Sequence, residues 1–332
     1  MTDSAVTAAA TAAAAPSPLR ISTMTVTGHL GAQPNLSRLF SHCAFIPYWD
    51  IAEGILKIEW TDEKKVRHIK GISSDDILHN MTKSQRQFCN QSSLVLRYCL
   101  PTGQWKESNI KLFKNGGFQM TGVSSEAMAR LALERLLALN GDEARSIWPS
   151  PPHVAKFEVR MMNSDYSVGA PIRRDVLYKV LVEEYGLWCN YEPTIYQGVN
   201  TKFFWNSAKP VGAPPGICTC PTQCKGDAPG NAIGACKKIT ISPFRTGSVI
   251  VTGAQTVQQL MDAYDFINMV FRTHPEILRP TELATKDATG STTGLTTTTV
   301  TNKRKMHIPT TVTEILTQKI RTSPRGLVKI CG

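Results

Sequence analysis

Residues 113–122 read FKNGGFQMTG, and the same spacing of Phe, Gly, Thr and Gly returns as FRTGSVIVTG at residues 244–253. Each copy follows a strand-like segment and precedes an amphipathic helix, predicted over 124–139 in one case and 256–272 in the other. The copies lie too far apart for a solenoid, whose repeats usually span about 20–50 residues. The sequence therefore predicts two copies of one small unit, fused in tandem and related by pseudo-twofold symmetry.

The charge balance of the chain favours a polyanionic partner. Its 332 residues carry 37 lysines and arginines against 26 acidic residues, for a net charge of +11. Such an excess points to nucleic acid ahead of a membrane surface. No apolar run approaches the roughly 20 residues that span a bilayer, and we expect no signal peptide at the N-terminus. The odd count of nine cysteines favours a reducing, intracellular compartment over a disulfide framework.

Breaks in composition divide the chain into two halves and two tails. Residues 1–18 are rich in Ala, Thr and Pro and are predicted to form a disordered tail. Residues 281–332 are predicted to form a flexible Thr-rich linker and a basic C-terminal tail. Between the tails, the halves span about 19–145 and 153–275, and each has the order strand, helix, several strands, helix. This order predicts an α+β fold with an antiparallel sheet, helices on one face and a free opposite face.

Each half also carries an insertion that the other lacks. The first, at about 47–85, contains the alternating stretch GILKIEW at residues 54–60, which predicts a strand. The second, at about 206–236, is rich in Gly, Pro and Cys. We assign no role to the first insertion from sequence.

Four segments carry a resemblance to a known family. They read KLFKNGGFQMTG at 111–122, PIRRDVL at 171–177, YEPTIYQG at 191–198 and KKITISPFRTGSVIVTGAQT at 237–256. On these segments the chain resembles the TATA-box-binding protein family, especially its divergent copies in large DNA viruses. The resemblance implies a curved, ten-stranded antiparallel saddle of two lobes with helices on the convex face. Its concave face would lie in the DNA minor groove, where aromatic side chains wedge between base pairs and bend the duplex.

The resemblance assigns four aromatic wedges. Phe113 and Phe244 match one wedge in each lobe, and Tyr196 matches the second wedge of the second lobe. Phe88 is favoured as its counterpart in the first lobe, although simple register places Gln91 there. The alternative for these aromatic side chains is an ordinary place in the core.

The resemblance also assigns groove-facing residues. Thr121 and Thr252 match threonines that face the minor groove. Met161 falls where the family has a central asparagine, and Asn163, two residues on, shares its face in a strand. This departure weakens the case for a standard TATA preference.

Basic residues near these positions are candidates for DNA contact. Lys111 stands at a groove-facing position, and Lys114 and Arg245 follow the two phenylalanines. A wider basic group fits a phosphate-binding footprint, with ordinary solvated charge as the alternative: Arg97, Arg160, Arg173, Arg174 and Lys202.

A loop in the second half is a candidate partner-binding site. Glu192, Pro193, Thr194 and Ile195 resemble the stirrup loop that binds transcription factor IIB in the family. The alternative is a plain connection between strands.

Four cysteines of the second insertion are candidate metal ligands. Cys218, Cys220, Cys224 and Cys236 lie in a loop that cannot build a core of its own. Four thiolates would hold a structural zinc ion and leave no open coordination position. The alternative is four reduced thiols.

The sequence thus predicts a general transcription initiation factor that recruits a factor-IIB-like protein and RNA polymerase, in a host nucleus or a cytoplasmic viral factory. It contains none of the common nucleotide-binding or hydrolase motifs, so we expect no enzymatic activity. The alternatives are a protein-interaction scaffold that has lost DNA recognition and a nonspecific architectural DNA binder.

Overall fold

The computed structural model describes residues 15–278, except residues 44, 79–89, 140–143 and 223. These residues belong to the first of two compact units, 1–282 and 283–332. Phe88 and the predicted C-terminal linker and tail lie outside the described residues, as does most of the N-terminal tail. Among the described helices, none is both long and apolar enough to cross a membrane.

The first half contains six strands and four helices in the described residues. In chain order they are β1 (Arg20–His29), α1 (Leu36–His42), β2 (Gly54–Thr61), β3 (Arg67–Gly71), α2 (Ser74–Leu78), β4 (Gln91–Cys99), β5 (Trp105–Phe113), β6 (Gly117–Val123), α3 (Glu126–Ala138) and α4 (Ala144–Ile147).

The second half contains five strands, two helices and a final single turn. They are β7 (Lys156–Ser167), α5 (Arg174–Glu183), β8 (Trp188–Asn190), β9 (Asn200–Trp205), β10 (Lys237–Pro243), β11 (Ser248–Ala254), α6 (Val257–Thr273) and a 3-10 turn at Pro275–Ile277. The short strand β8 has no counterpart among the strands predicted from sequence.

All described strands form one open antiparallel sheet, in the order β3-β2-β4-β5-β6-β1-β7-β11-β10-β9-β8. The two halves meet where β1 pairs with β7, and Met24 and Met162 are Cα partners at that junction. Outward from it, β6-β5-β4 on one side is matched by β11-β10-β9 on the other. The α+β class and the tandem pseudo-symmetric arrangement are therefore confirmed. The implied count of ten strands is wrong, because β3 of the first insertion adds an eleventh.

One face of the sheet carries the hydrophobic core. Alternate side chains such as Ile110 and Leu112 of β5 are fully buried there, together with Leu133 of α3 and Ile267 of α6. Helices α1, α3, α5 and α6 contact the strands and cover this face, which we call the core face. The opposite side is the open face.

Two glycines of the repeated phrase are required by the backbone. Gly116 and Gly247 have φ angles of +87° and +90°, in the region that only glycine adopts readily. An added Cβ would also stand 2.2 Å from the carbonyl oxygen of Ala32 in one half and 2.3 Å from that of Ala170 in the other. Both halves therefore place the same close backbone contact after β5 and β10, which explains why each copy has Gly at this position.

The helices that follow the repeated phrase begin in the same way. The Ser125 hydroxyl accepts a hydrogen bond from the N–H of Met128, and the Thr256 hydroxyl accepts one from the N–H of Gln259, both at 3.2 Å. Each bond satisfies an N–H group that has no partner within the helix. Helix α6 thus begins where the sequence predicts it, with Thr256 as its N-cap.

The expectation of a wholly free open face is wrong. Helix α2 lies on that side, because its Asp76 Oδ1 is 2.7 Å from Nζ of Lys57 and Lys57 points away from the core face. The first insertion thus contributes the edge strand β3 and the short helix α2. Neither element has a copy in the second half, so the sequence repeat did not predict them.

Candidate nucleic-acid interface

The centre of the open face carries small polar side chains. Thr23 is the Cα partner of Asn163, and Asn163 is in turn the partner of Thr252 on β11. Asn163 lies between the buried Met162 and Ser164, so its amide points away from the core.

Met161 and Asn163 share the open face, as alternation in a strand requires. Met161 is the Cα partner of Thr25 on β1. Amide and hydroxyl groups can donate hydrogen bonds to the base acceptors of a minor groove.

The first half continues this surface. Thr121 of β6 is the Cα partner of Asn109 on β5, and Gln119 is the partner of Lys111. Lys111 is exposed, while Thr121 is half-buried. Threonines 121 and 252 therefore occupy equivalent strand positions on the same face, where the sequence placed them.

Acidic side chains on the open face are paired with basic ones. Arg20 donates to both carboxylate oxygens of Asp165, at 3.0 and 2.9 Å. Glu158 contacts Lys156 at 2.9 Å and Arg160 at 3.3 Å, and the Lys156 hydrogen bond is the main cause of a lowered pKa for Glu158. The pairing reduces the repulsion that these carboxylates would exert on a polyanion. Arg20 and Asp165 are 145 residues apart in the chain, so their pairing was not predictable from sequence, whereas Lys156, Glu158 and Arg160 alternate along the single strand β7.

Two predicted wedges of the second half stand together. The rings of Tyr196 and Phe244 are edge to face, with centroids 5.7 Å apart. Gly198 lies beside them, and a Cβ there would come within 2.9 Å of the Tyr196 ring and 3.1 Å of the Phe244 ring. Tyr196 remains 41% exposed. The structure thus brings together residues from two separate loops into one partly exposed aromatic pair.

The first half presents one described aromatic at the matching place. Phe113 ends β5, is half-buried, and is the Cα partner of Gln91. The side chain of Gln91 is buried. Phe88, the predicted second wedge here, lies outside the described residues.

Basic side chains flank both aromatic positions. Lys114 and Arg245 are exposed. The Lys114 N–H donates to the Asn90 carbonyl at 2.9 Å, and the Arg245 carbonyl accepts from the Ile172 N–H at 3.0 Å. The backbone of each is therefore fixed while its charge faces solvent.

Arg97 has a different use from the phosphate contact expected of it. Its guanidinium donates to the carbonyls of Tyr48 and Asp50 at 2.7 and 2.9 Å and to Glu107 at 2.9 Å. Its side chain is only 12% exposed. Arg97 therefore holds the first insertion to the sheet.

The predicted stirrup loop is exposed and internally ordered. Glu192 accepts a 2.6 Å hydrogen bond from the Thr194 hydroxyl, which is the main cause of a lowered pKa for Glu192. Ile195 is 86% exposed. Arg174 of α5 donates to the Gln197 carbonyl. The loop therefore exposes the apolar side chain of Ile195 and the carboxylate of Glu192, while the hydrogen bond from Arg174 holds the end of the loop in place.

The four cysteines of the second insertion converge. All four Sγ atoms of Cys218, Cys220, Cys224 and Cys236 lie within 4.8 Å of one another. Individual Sγ separations are 3.4 Å for 218–224, 3.5 Å for 220–236 and 3.8 Å for 218–236. A tetrahedral ion with bonds of about 2.3 Å requires sulfur separations of about 3.8 Å. The geometry fits a four-thiolate zinc site.

Polar N–H groups face two of the sulfur atoms in this cluster. The Gly234 N–H donates to Sγ of Cys220 at 3.2 Å, and the Asn206 amide lies 3.6 Å from Sγ of Cys236. Such donors orient metal-bound sulfur. Burial raises the pKa of Cys236 to about 12. At Cys218 burial also acts upward, but hydrogen bonds from the other thiols and the neighbouring backbone outweigh it and lower the pKa to about 6.

Comparison with known proteins identifies related chains. No protein-family model matches the chain. A curated protein of Acanthamoeba polyphaga mimivirus, described as TATA-box-binding protein-like, is 28% identical over 205 residues, which cover 56% of this chain and 48% of the relative. The match thus spans about half the length of the curated relative. A solved structure of the Methanococcus jannaschii TBP aligns with a TM-score of 0.40 and 14% identity, over 79% of this chain and 100% of that one. The resemblance to a divergent viral TATA-box-binding protein-like protein, predicted from sequence, is confirmed.

Proposed function

From this relationship to a TATA-box-binding protein-like protein, we propose that the chain binds promoter DNA in the minor groove, bends it, and acts as a transcription initiation factor. The carrying observation is the Tyr196–Phe244 ring pair at the end of an open sheet face lined by small polar groups. No described feature of this face resembles a catalytic set, and we propose a non-enzymatic role.

The energetics of the wedge favour bending. Unstacking a base step costs a few kcal/mol. An aromatic side chain buries about 150–250 Å², but Tyr196 is already packed on Phe244 and is 41% exposed, so insertion removes roughly 60–100 Å² of this ring from water and returns about 1.5–2.5 kcal/mol at about 25 cal/mol per Å². Insertion of the Tyr196–Phe244 pair therefore offsets part of the unstacking, and the bend brings more of the sheet into contact with the duplex.

Binding to labelled duplexes over a salt series tests this function. We expect saturable binding of an A·T-rich duplex, a weaker affinity for a G·C-rich duplex of equal length, and a linear fall of log K with log salt. Absence of binding at low salt would contradict the proposal and would favour the alternative, a protein-interaction scaffold that has lost DNA recognition.

An architectural role is the second candidate, and one observation favours it. Met161 and the exposed Lys111 occupy open-face positions where the family has base-reading or apolar groups. A cation there is attracted to any phosphate backbone. Equal affinity and equal bending of both duplexes would select this candidate.

The exposed stirrup loop supports recruitment of other proteins. Ile195 and Glu192 project from a loop that α5 anchors, so we propose that residues 192–195 contact a factor-IIB-like protein that brings RNA polymerase. A pull-down with that partner, comparing Glu192→Arg with the unchanged chain on bent DNA, tests the contact. We place this activity inside the cell, in a nucleus or a viral factory.

The cysteine cluster supports one structural zinc ion. Cys218, Cys220, Cys224 and Cys236 would hold it, and the ion would supply folding free energy to a loop without a core. Elemental analysis of the purified protein should give one zinc per chain, and Cys220→Ser should remove it. Cys99→Ser, at a cysteine outside the cluster, should not.

A further inference from the structure

The outer strands of the first half are covered on their open face. Residues 72–78, which we call the cover segment, follow β3 and contain α2. The Ile72 N–H donates to the Leu56 carbonyl of β2 at 3.0 Å. Gly71, just before the segment, has φ +79°, and a Cβ there would stand 2.0 Å from the Leu56 oxygen. The chain therefore turns tightly back over β2.

Two side chains tie the cover segment to the open face. Asp76 Oδ1 is 2.7 Å from Nζ of Lys57 on β2. The Ser74 hydroxyl donates to Glu107 Oε2 on β5 at 2.5 Å. Val95 on β4, the Cα partner of Lys57, is 8% exposed although it faces away from the core. The cover segment thus reaches across β2, β4 and β5.

The second half offers a direct comparison through the strand register. Thr121–Asn109–Val95–Lys57 is one row of Cα partners across the first half. The equivalent row in the second half is Thr252–Thr240–Lys202–Trp188. Covered Val95 therefore corresponds to Lys202, and Lys57 corresponds to Trp188.

The outer ends of the two rows differ in solvent exposure and in charge pairing. Lys57 is 15% exposed and pairs with both Glu59 and Asp76 at 2.7 Å. Trp188 is 58% exposed. Lys202 donates to the Thr240 hydroxyl at 2.9 Å and lies 6.0 Å from the Trp188 ring. In the first half the cation is already neutralised under a cover, whereas the second half presents an accessible ring beside its cation.

The cover segment is held by a linked set of ionic contacts. Glu59, 9% exposed at its side chain, bridges Lys57 and Arg67 at 2.7 Å each. The Ser73 N–H and hydroxyl both donate to Asp76 Oδ2, at 2.9 and 2.8 Å. Lifting the cover segment would take Asp76, one of two carboxylate partners, from the half-buried Lys57, which is costly. These contacts favour a segment that stays in place when a ligand arrives.

Resting on the proposed DNA binding, we propose that the two halves engage DNA unequally. The cover segment excludes the duplex from β2, β3, the part of β4 around Val95 and the end of β5 at Glu107, so the first half uses only β1, β6 and the remainder of β5. The second half contacts the phosphate backbone out to its edge strand, through Lys202 and Trp188. The footprint is therefore one-sided, which gives the pseudo-symmetric protein a preferred orientation on its DNA.

Hydrogen exchange of the full chain, with and without a 25-base-pair A·T-rich duplex, tests this inference. We expect at least a fivefold slowing at residues 188–190 and 200–205, and unchanged rates at 54–61 and 72–78. Faster exchange at 72–78 on binding would show a displaced cover and overturn the inference. Equal protection of both edges would overturn it too. A duplex that binds nowhere would refute the proposed function itself.

A matched pair of variants gives a second readout. Lys202→Gln should lower the slope of log K against log salt by about 0.9, the value for one phosphate contact, while Lys57→Gln should leave the slope unchanged. The ratio of the affinity at 50 mM salt to the affinity at 200 mM salt should therefore be about 3.5-fold smaller for Lys202→Gln than for the unchanged chain. Equal loss of slope in both variants would contradict a one-sided footprint. If Lys57→Gln does not fold, hydrogen exchange of the unchanged chain alone tests whether the footprint is one-sided.

Discussion

The ring of Tyr196 meets the ring of Phe244 edge to face, with 5.7 Å between their centroids. The two residues come from different loops, and the absence of a side chain at Gly198 leaves the space in which both rings fit. Each ring limits the positions of the other, so the pair is ordered before any ligand arrives. A preordered pair loses less conformational entropy on insertion than two separate mobile side chains.

Removing one ring of this pair should weaken DNA binding. We expect Tyr196→Ala to lower the affinity for an A·T-rich duplex by about 1–3 kcal/mol, the usual worth of one aromatic–base stack. Tyr196→Phe keeps the ring, so its affinity for the same duplex should be close to that of the unchanged chain. Fluorescence anisotropy titrations at fixed salt measure both. An alanine variant with unchanged affinity would place the wedge elsewhere.

The glycine of the repeated phrase should tolerate no side chain. Gly116→Ala combines a positive φ with a Cβ 2.2 Å from the Ala32 oxygen, and should destabilise the fold by about 2–4 kcal/mol. Gly103 shares a positive φ, +80°, but has nothing within 4 Å of the added Cβ. Gly103→Ala should therefore cost only about 1 kcal/mol. Urea unfolding monitors both, and similar losses would show that the carbonyl contact is unimportant.

Metal removal should loosen the Cys-rich insertion and little else. Because four thiolates would hold the loop at about 206–236, a strong chelator should speed its amide exchange by about tenfold or more. The central strands β1 and β7 should keep their protection. Cys220→Ser should reproduce the effect without chelator. If chelator leaves exchange in the loop unchanged, the thiols do not depend on a metal.

The contacts of Asp76 should make the stability of the cover segment depend on pH. Burial acts to raise the pKa of Asp76, but hydrogen bonds from Lys57 and Ser73 outweigh it and bring the pKa below the usual 3.8. A lowered carboxyl pKa stabilises the folded state above the unfolded value, and this stabilisation is lost as pH falls through the folded value. Asp76→Asn should therefore cost about 1–2 kcal/mol at pH 6 and progressively less towards pH 3.

Urea unfolding over pH 3–6 measures that trend. Asp75→Asn is the matched control, since Asp75 is an exposed acid on the same short helix and should change stability little at any pH. A cost for Asp76→Asn that stays constant with pH would argue against the ion pair with Lys57.

The sequence predicted the parts of the fold whose sequence pattern occurs in both halves. The spacing of Phe, Gly, Thr and Gly located β5, β6, β10 and β11, and Thr256 marked the start of the last long helix. Clustered cysteines indicated a joint site because their chemistry is specific even without a standard spacing. In each case the signal was local or repeated.

The remaining features depend on contacts between distant segments. The first insertion occurs once, so no second copy revealed that Asp76 returns to Lys57 or Ser74 to Glu107. The three-residue strand β8 is too short to show an alternating pattern. Arg97 looked like a free surface cation, because nothing in the sequence indicates that the carbonyls of Tyr48 and Asp50 accept from it.

The most direct test of a bent-DNA function is the end-to-end distance of a doubly labelled A·T-rich duplex, followed by resonance energy transfer. We predict that the unchanged chain shortens this distance and that Phe113→Ala and Phe244→Ala together abolish the shortening while weak binding at low salt persists. A duplex that stays straight when saturated with the unchanged chain, or that bends equally with both phenylalanines removed, would contradict the account.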